Sequence, residues 1–144
     1  MIQKMNMINY GKINVVAGFT AMLLAAMGGF ALGATFEANA IKDGQYVLNI
    51  VRFYLREGHS HGMPIAMYNM VIGLWIDKIA LSDRTKLVAS WAAVCGLLLP
   101  IGLAIKGAAG APANFPPVGI PGILGMFTSI ILLLVGAIRI KRNV

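Results

Sequence analysis

The chain has 144 residues, of which 58% are hydrophobic and only 12% are charged, and its mean hydropathy is +0.78. Soluble domains carry about a quarter of their residues as charged side chains, so this composition excludes a soluble globular protein and indicates an integral membrane protein. The formal net charge is +7, but the basic residues lie at the ends of apolar segments, which is typical of membrane topology rather than of nucleic-acid binding.

Four apolar segments set the predicted fold. They cover about residues 13–34, 59–76, 85–105 and 118–138, and each is close to the ~20 residues that a helix needs to cross a bilayer. The connections between them are too short for a separate soluble module. We therefore predict an all-α fold, an integral membrane four-helix bundle formed by a single domain over residues 1–144.

The first apolar segment has two interpretations. Lys4 and Lys12 precede it and the tripeptide Ala38-Asn39-Ala40 follows it, an arrangement also found in cleaved signal peptides. The apolar run is longer than the core of about 7–15 residues in such peptides, so we interpret it as an uncleaved first span. Small residues recur along it at helical spacing and predict the close approach of another helix; they are Gly18, Ala21, Ala25 and Gly28.

The connection between the first two spans, residues 35–58, predicts an amphipathic helix at the membrane interface. Apolar side chains fall on one side of such a helix and polar side chains on the other. The apolar set is Val47, Ile50, Val51, Tyr54 and Leu55, and the polar set is Gln45, Asn49, Arg52 and Arg56. A lid packed on the bundle has the same pattern and stays open as an alternative.

Prolines and a cap mark the later spans. Pro64 lies near the start of the predicted second span, where a missing N–H is tolerated, whereas an earlier helix start would produce a kink. Ser82 or Asp83 is suited to cap the third span. Pro100 and Gly102 predict a bend within that third span.

Lysine and arginine residues are distributed unequally between the two sides of the predicted bundle. Eight lie on the side of the termini, namely Lys4, Lys12, Lys78, Arg84, Lys86, Arg139, Lys141 and Arg142, and four lie on the other, namely Lys42, Arg52, Arg56 and Lys106. By the positive-inside rule, both termini are predicted to face the cytoplasm from a bacterial or archaeal inner membrane. The second span then enters the membrane at His59 from the opposite side.

The stretch from Arg56 to Asn69 holds both histidines of the protein. Polar side chains inside apolar spans are costly and mark functional sites by default. A helix places His59 in one stripe with Met63, Met67 and Met70. Imidazole and thioether groups suit haem iron or Cu(I). The alternatives are that methionines fill irregular helix contacts and that the histidines have ordinary interfacial partners.

His59 and His61 constrain the kind of metal site. On a helix, residues two apart point about 200° from each other, so the pair cannot ligate one ion from one chain, whereas an extended segment would allow it. No third histidine exists, which excludes a bis-histidine haem within one subunit. A five-coordinate haem, a His/Met haem and a site shared between subunits remain open. An open iron position suits catalysis, because iron can then act as a Lewis acid.

Asn69, next to Tyr68, lies within the second span, where an amide either bonds to another helix or lines a cavity.

No Ser-His-Asp set, carboxylate pair or glycine-rich phosphate loop can be assembled from the sequence, which disfavours hydrolases and nucleotide enzymes. Cys95 is the single cysteine, so a disulfide framework and a cysteine-based metal site are excluded.

Three motifs resemble those of the styrene oxide isomerase family, small four-span membrane proteins that carry haem b and rearrange epoxides to carbonyl compounds. The segment from Arg56 to Met63 is similar to an Arg-x-His-Ser-Gly-Pro entry into span two, Asp83-Arg84-Thr85-Lys86 to an Asp-Lys-Thr-Ala-Arg loop, and Phe115 to Gly122 to a Gly/Pro-rich approach to span four. The resemblance implies His59 as the haem ligand and a homotrimer with haem at the subunit interfaces. The family's catalytic Asn falls on Ile65 and its Tyr near Ala104, so those roles do not carry over.

The first functional hypothesis is a membrane haem b protein with His59 as axial ligand and Met63 beside the cofactor. In an isomerase of this kind, ferric iron binds the epoxide oxygen of a small hydrophobic substrate, and Asn69 or Tyr68 orients it. The second hypothesis is a copper-handling protein that uses His59, His61 and the methionine stripe. The third is a structural subunit of a larger membrane complex in which His61 and Asn69 hold helices together.

Overall fold

The computed structural model describes residues 10–42, 45–46 and 49–140. Six α-helices lie in these ranges: α1 Lys12–Ala34, α2 Phe36–Ala40, α3 Ile50–Trp75, α4 Asp83–Cys95, α5 Leu98–Ala108 and α6 Gly119–Ile138. A 3-10 turn, Ile76–Lys78, follows α3. The strands β1 Ile41–Lys42 and β2 Gln45–Tyr46 form a short antiparallel pair with Ile41 opposite Tyr46. Of the residues used for the predictions above, Lys4, Val47, Lys141 and Arg142 lie outside the described ranges.

Three helical segments are long and apolar enough to cross a membrane: α1, the combined segment Asp83–Ala108, and α6. The chain is therefore a predominantly helical membrane protein. Many of its largest apolar side chains point away from the protein; Phe30 on α1 is 79% exposed and Leu134 on α6 is 58% exposed. In a bilayer these faces contact lipid, which removes the cost of exposing them to water.

Helix α3 runs without a break from Ile50, within the predicted amphipathic segment, through the predicted second span. It begins at Ile50 because the side chain of Asn49 caps it, accepting hydrogen bonds from the backbone N–H groups of Val51 at 3.0 Å and Arg52 at 3.2 Å. Pro64 consequently lies inside the helix rather than in its first turn. The helix is long enough to span but is not among the three apolar segments, because polar residues such as His59 lower its hydropathy.

The third span, for which a bend is predicted, is interrupted at Gly96 and Leu97, between α4 and α5. Pro100 lies four residues after Gly96 and has no N–H to bond the Gly96 carbonyl, as a regular α-helix would require. The carbonyl oxygen of Gly96 instead accepts from the N–H of Leu99 at 3.2 Å. The interruption of the helix that Pro100 causes therefore lies one turn before the proline itself.

Helices α1 and α3 pack antiparallel through small residues. Gly11 lies against Gly73 at one end, and Gly18 lies against Ala66 near the middle, each so close that an added Cβ would meet backbone atoms. The predicted close approach at Gly18 is confirmed, whereas Gly28 has open space around it. Small residues let the two backbones come close enough for interhelical hydrogen bonds to form.

Helix α6 packs antiparallel along α4 and α5. Gly122 lies against the backbone of Leu99, and Gly136 lies against the side chain of Leu81. The buried apolar cluster is at the end of the bundle where α3 meets the 3-10 turn, and it consists of Ile72, Ile76, Ala89 and Ala93. The opposite end, between α1, α3 and α5, is less tightly filled and contains a cavity.

Candidate functional site

The cavity between α1, α3 and α5, called the His59 cavity below, has a volume of about 550 Å³. This lies within the range of about 300–1,000 Å³ that is typical of small-molecule sites. Along α1 its wall runs from Ala21 to Thr35, which corresponds to a length of about 20 Å at the helical rise. Among the described residues, most of the lining is aliphatic or glycine, and the polar lining residues are Thr35, Asn49, Arg52 and His59.

The imidazole of His59 crosses from α3 to α1. Its Nδ1 lies 2.8 Å from the backbone carbonyl oxygen of Ala25. A carbonyl can only accept a hydrogen bond, so Nδ1 carries the proton, and in the neutral ring the lone pair is then on Nε2. Nε2 forms no hydrogen bond with any residue that the structure describes. Metal-binding histidines are commonly held in this way, with one nitrogen bonded to a carbonyl and the other on the metal.

Gly29 makes room for the His59 ring. A Cβ atom at this position would lie 2.9 Å from each ring nitrogen, closer than real Cβ contacts allow. Gly29 lies one helical turn after Ala25, so the carbonyl that holds the ring and the glycine beneath it belong to the same face of α1. Sequence reasoning missed Gly29; the available signal was that it follows Gly28 within the small-residue pattern of the first span.

His61 lies away from the cavity. Its Nδ1 is 2.9 Å from the backbone carbonyl oxygen of Glu57 and 3.6 Å from the Glu57 carboxylate, and its side chain is 45% exposed. Because the segment is helical through both histidines, the structure agrees with the expectation that they diverge. No group of three or more His, Cys, Asp or Glu side chains that could hold a metal ion occurs within the described ranges.

The methionine stripe does not line the cavity. Met63 is partly buried but is not among the described lining residues. Met67 is 55% exposed, and the side chain of Met70 packs beside Gly18 on α1. For Met70, the structure therefore shows a helix contact, as in the alternative interpretation of the stripe.

Asn69 belongs to a buried polar cluster with Asn14 on α1 and Ser90 on α4, called the polar centre below. Its Nδ2 donates at 3.0 Å to the carbonyl oxygens of Ile65 and Ala93, and its Oδ1 accepts from Asn14 Nδ2 at 3.0 Å. Asn14 Nδ2 also donates to the Ser90 carbonyl oxygen at 3.0 Å, and the Ser90 hydroxyl donates to Asn14 Oδ1. Asn69 thus bonds to other helices. The sequence-based prediction did not include Asn14, although Asn14 is an amide at the start of an apolar run.

Tyr68 lies on the side of α3 that faces α6. Its hydroxyl donates to the hydroxyl oxygen of Ser129 on α6 at 3.0 Å. Neither Tyr68 nor Asn69 is among the described lining residues of the His59 cavity. The two residues predicted to orient a substrate therefore lie outside the cavity that contains His59.

Arg52 lies at the polar end of the cavity, called its mouth below, together with Thr35 and Asn49. Its guanidinium donates from Nη1 to the backbone carbonyl of Thr35 at 3.3 Å and to the Thr35 hydroxyl at 3.2 Å, and from Nη2 to the carbonyl of Leu32. A cation at the C-terminal carbonyls of α1 is favourable for the helix dipole. Arg56, one turn further along α3, is exposed and pairs with Glu57 at 3.6 Å.

Together these features define a class, a helical membrane protein with a histidine on the wall of an apolar cavity. Comparison of the chain with protein-family models, curated proteins and solved structures gives no match. The likeness to the styrene oxide isomerase family stays a prediction that depends on the three short motifs quoted above.

Proposed function

We propose that the protein is a membrane haem protein in which Nε2 of His59 is the axial ligand of haem b. The observation that carries this proposal is the geometry of one side chain. His59 is fixed through Nδ1 by the Ala25 carbonyl at 2.8 Å, and it lies on the wall of a cavity of about 550 Å³. A histidine with only a structural role would more commonly bond through both ring nitrogens when it lies inside a helical bundle.

The residues present fit this cofactor in two respects. The donor is an imidazole nitrogen, a common axial ligand of haem. The wall beside it is aliphatic, as a mostly apolar macrocycle requires, and includes Ala25, Leu97 and Ala104. Among the described lining residues, no second imidazole or thioether faces His59, so this proposal has a single axial ligand from the chain and does not use Met63.

A four-span topology is part of the proposal. Helix α3 lies antiparallel along the whole of α1, from the contact of Gly11 with Gly73 to that of Gly29 with His59. Because α1 has the length and hydropathy of a span, a helix paired along its length crosses the same thickness. Four spans would bring both termini to the same side, which the positive-inside rule predicts to be the cytoplasmic one. The resemblance adds a homotrimer to the proposal.

The reaction class that the resemblance implies is isomerisation of an epoxide to a carbonyl compound, for which ferric haem supplies a Lewis acid. The chain itself supplies a cavity whose lining beside His59 is mostly aliphatic. Near His59, the described lining offers no hydroxyl or amide to orient an epoxide. Orientation of a hydrophobic substrate therefore depends on the shape of the wall.

An absorption spectrum of the purified protein tests the proposal. The wild type, produced with haem available, is expected to show a Soret band, and metal analysis is expected to find bound iron at no more than one per chain. His59→Ala is expected to lose the band. His61→Ala is the matched control, because His61 bonds to its own helix at Glu57 and should keep the band. A wild type without the band, or His59→Ala with an unchanged band, contradicts the proposal; copper without iron would favour the copper-handling alternative.

A further inference from the structure

The mouth of the His59 cavity carries a positive charge that the described residues do not neutralise. Ion pairs in the described ranges involve Glu57 with Arg56 and with His61, and none includes Arg52. Carbonyl and hydroxyl acceptors hold the Arg52 guanidinium but supply no negative charge. A cation at the edge of an apolar cavity, with no counter-charge among the described residues, attracts an anion, because the low dielectric strengthens the interaction.

Arg52 also keeps hydrogen-bonding capacity for a ligand. Its contacts with Thr35 and Leu32 use at most three of the five guanidinium N–H groups. They fix the planar group at the mouth, and the Phe36 ring lies 5.5 Å from its Cζ atom. A guanidinium that is already held in place loses little conformational entropy on binding, and its fork geometry suits a carboxylate.

The spacing of Arg52 and His59 constrains the shape of a ligand that could fill the cavity. The two residues are seven apart on α3 and both line the cavity, so they lie on one face and are separated by about 10 Å along the helix axis. Beyond His59 the lining continues with small and aliphatic residues as far as Ala21 and Leu97. The cavity thus combines a cationic mouth with an apolar body that extends into the membrane.

We propose that Arg52 binds the carboxylate of an amphiphile whose apolar body lies beside His59 in the cavity. This inference rests on the proposed function for one possible source of the carboxylate, a haem propionate. The second source with the same chemistry is a fatty acid from the bilayer. In either case the carboxylate is held at the mouth and the apolar body is buried between α1, α3 and α5.

Acid and ester forms of the same ligand test the proposal on the wild-type protein. Haem b and its dimethyl ester are titrated by absorbance, and oleic acid and methyl oleate compete with a fluorescent fatty acid on haem-free protein. For at least one source, the acid is expected to bind about tenfold or more tightly than the ester, because a charge-assisted bond is lost in the ester. Arg52→Gln should reduce this ratio to about twofold or less, whereas Arg56→Gln should keep it, since Arg56 does not line the cavity.

The outcomes separate the sources and the two proposals. Acid preference for haem alone assigns the subsite to a propionate, and acid preference for oleic acid alone assigns it to a fatty acid even if haem does not bind. If Arg52→Gln fails to fold, the ratio of acid affinity to ester affinity in the wild type still tests whether the cavity prefers a carboxylate. Equal binding of acid and ester in both pairs, absence of binding by all four ligands, or an unchanged ratio in folded Arg52→Gln overturns the proposal.

Discussion

Two regions of the molecule place polar side chains among apolar helices, and they do so in opposite ways. In the polar centre, Asn14, Asn69 and Ser90 are fully buried, and each donor bonds to a partner across α1, α3 and α4. At the cavity, His59 is only partly buried and its Nε2 has no partner among the described residues. A saturated network indicates a structural role, whereas an unsaturated nitrogen beside a cavity indicates binding.

The largest expected effect separates Gly29 from Gly33, which lies about one turn further along α1. Gly29→Ala should push the His59 ring away from Ala25, since the new Cβ would overlap the ring, while Gly33 has open space around it and does not line the His59 cavity. Loss of such an orienting contact typically lowers the affinity of a metal site about 10–100-fold. Haem titration of Gly29→Ala and Gly33→Ala measures the difference.

The two alanine variants gain the same helix propensity, so they form a matched pair. Equal haem affinities for both would show that the ring is not seated on Gly29, and would count against His59 as the ligand.

An intermediate effect is expected when the polar centre is broken. Asn69→Ala leaves Asn14 with one fewer acceptor and the Ala93 carbonyl without its side-chain donor. We expect a loss of about 1–3 kcal/mol in the free energy of unfolding, with an unchanged haem spectrum. Equilibrium unfolding in mixed micelles measures the loss, and Ser60→Ala, whose hydroxyl bonds within its own helix at the exposed surface, is the control.

Loss of the Soret band in Asn69→Ala at unchanged stability would reverse this assignment. It would place Asn69 in the binding site, as the sequence-based hypothesis of a substrate-orienting amide predicts.

The smallest expected effect concerns Tyr68. Tyr68→Phe removes one interhelical bond, to Ser129 at 3.0 Å, and such bonds are worth about 0.6 kcal/mol on average in membrane proteins. The double variant with Ser129→Ala should be no less stable than the worse single variant, because both changes remove the same bond. Additive losses in this cycle, or a lower rate of epoxide isomerisation than in Ser129→Ala, would indicate a role for Tyr68 beyond this contact.

The sequence already indicated several features of the site and of the bundle. The apolar segments, the helical character and the prominence of His59 are properties of local composition and spacing, and each can be read from a single stretch of chain. The divergence of His59 and His61 also follows from helix geometry alone. The start of α3 was less accessible, because the Asn49 cap sits in a connection where an amphipathic helix and a lid have the same pattern.

The partners of each polar residue were decided by tertiary structure. Asn14 and Asn69 are 55 residues apart, and His59 and the Ala25 carbonyl are 34 apart, so their pairing depends on the register and distance of two packed helices. The membrane character of the chain is fixed by the free energy of transfer of its segments, which is a sum over residues. The cavity, the hydrogen bonds of Asn69 and the exposure of His59 Nε2 without a partner among the described residues arise only when the helices are brought together, because they depend on the space and the hydrogen-bonding groups left between helices.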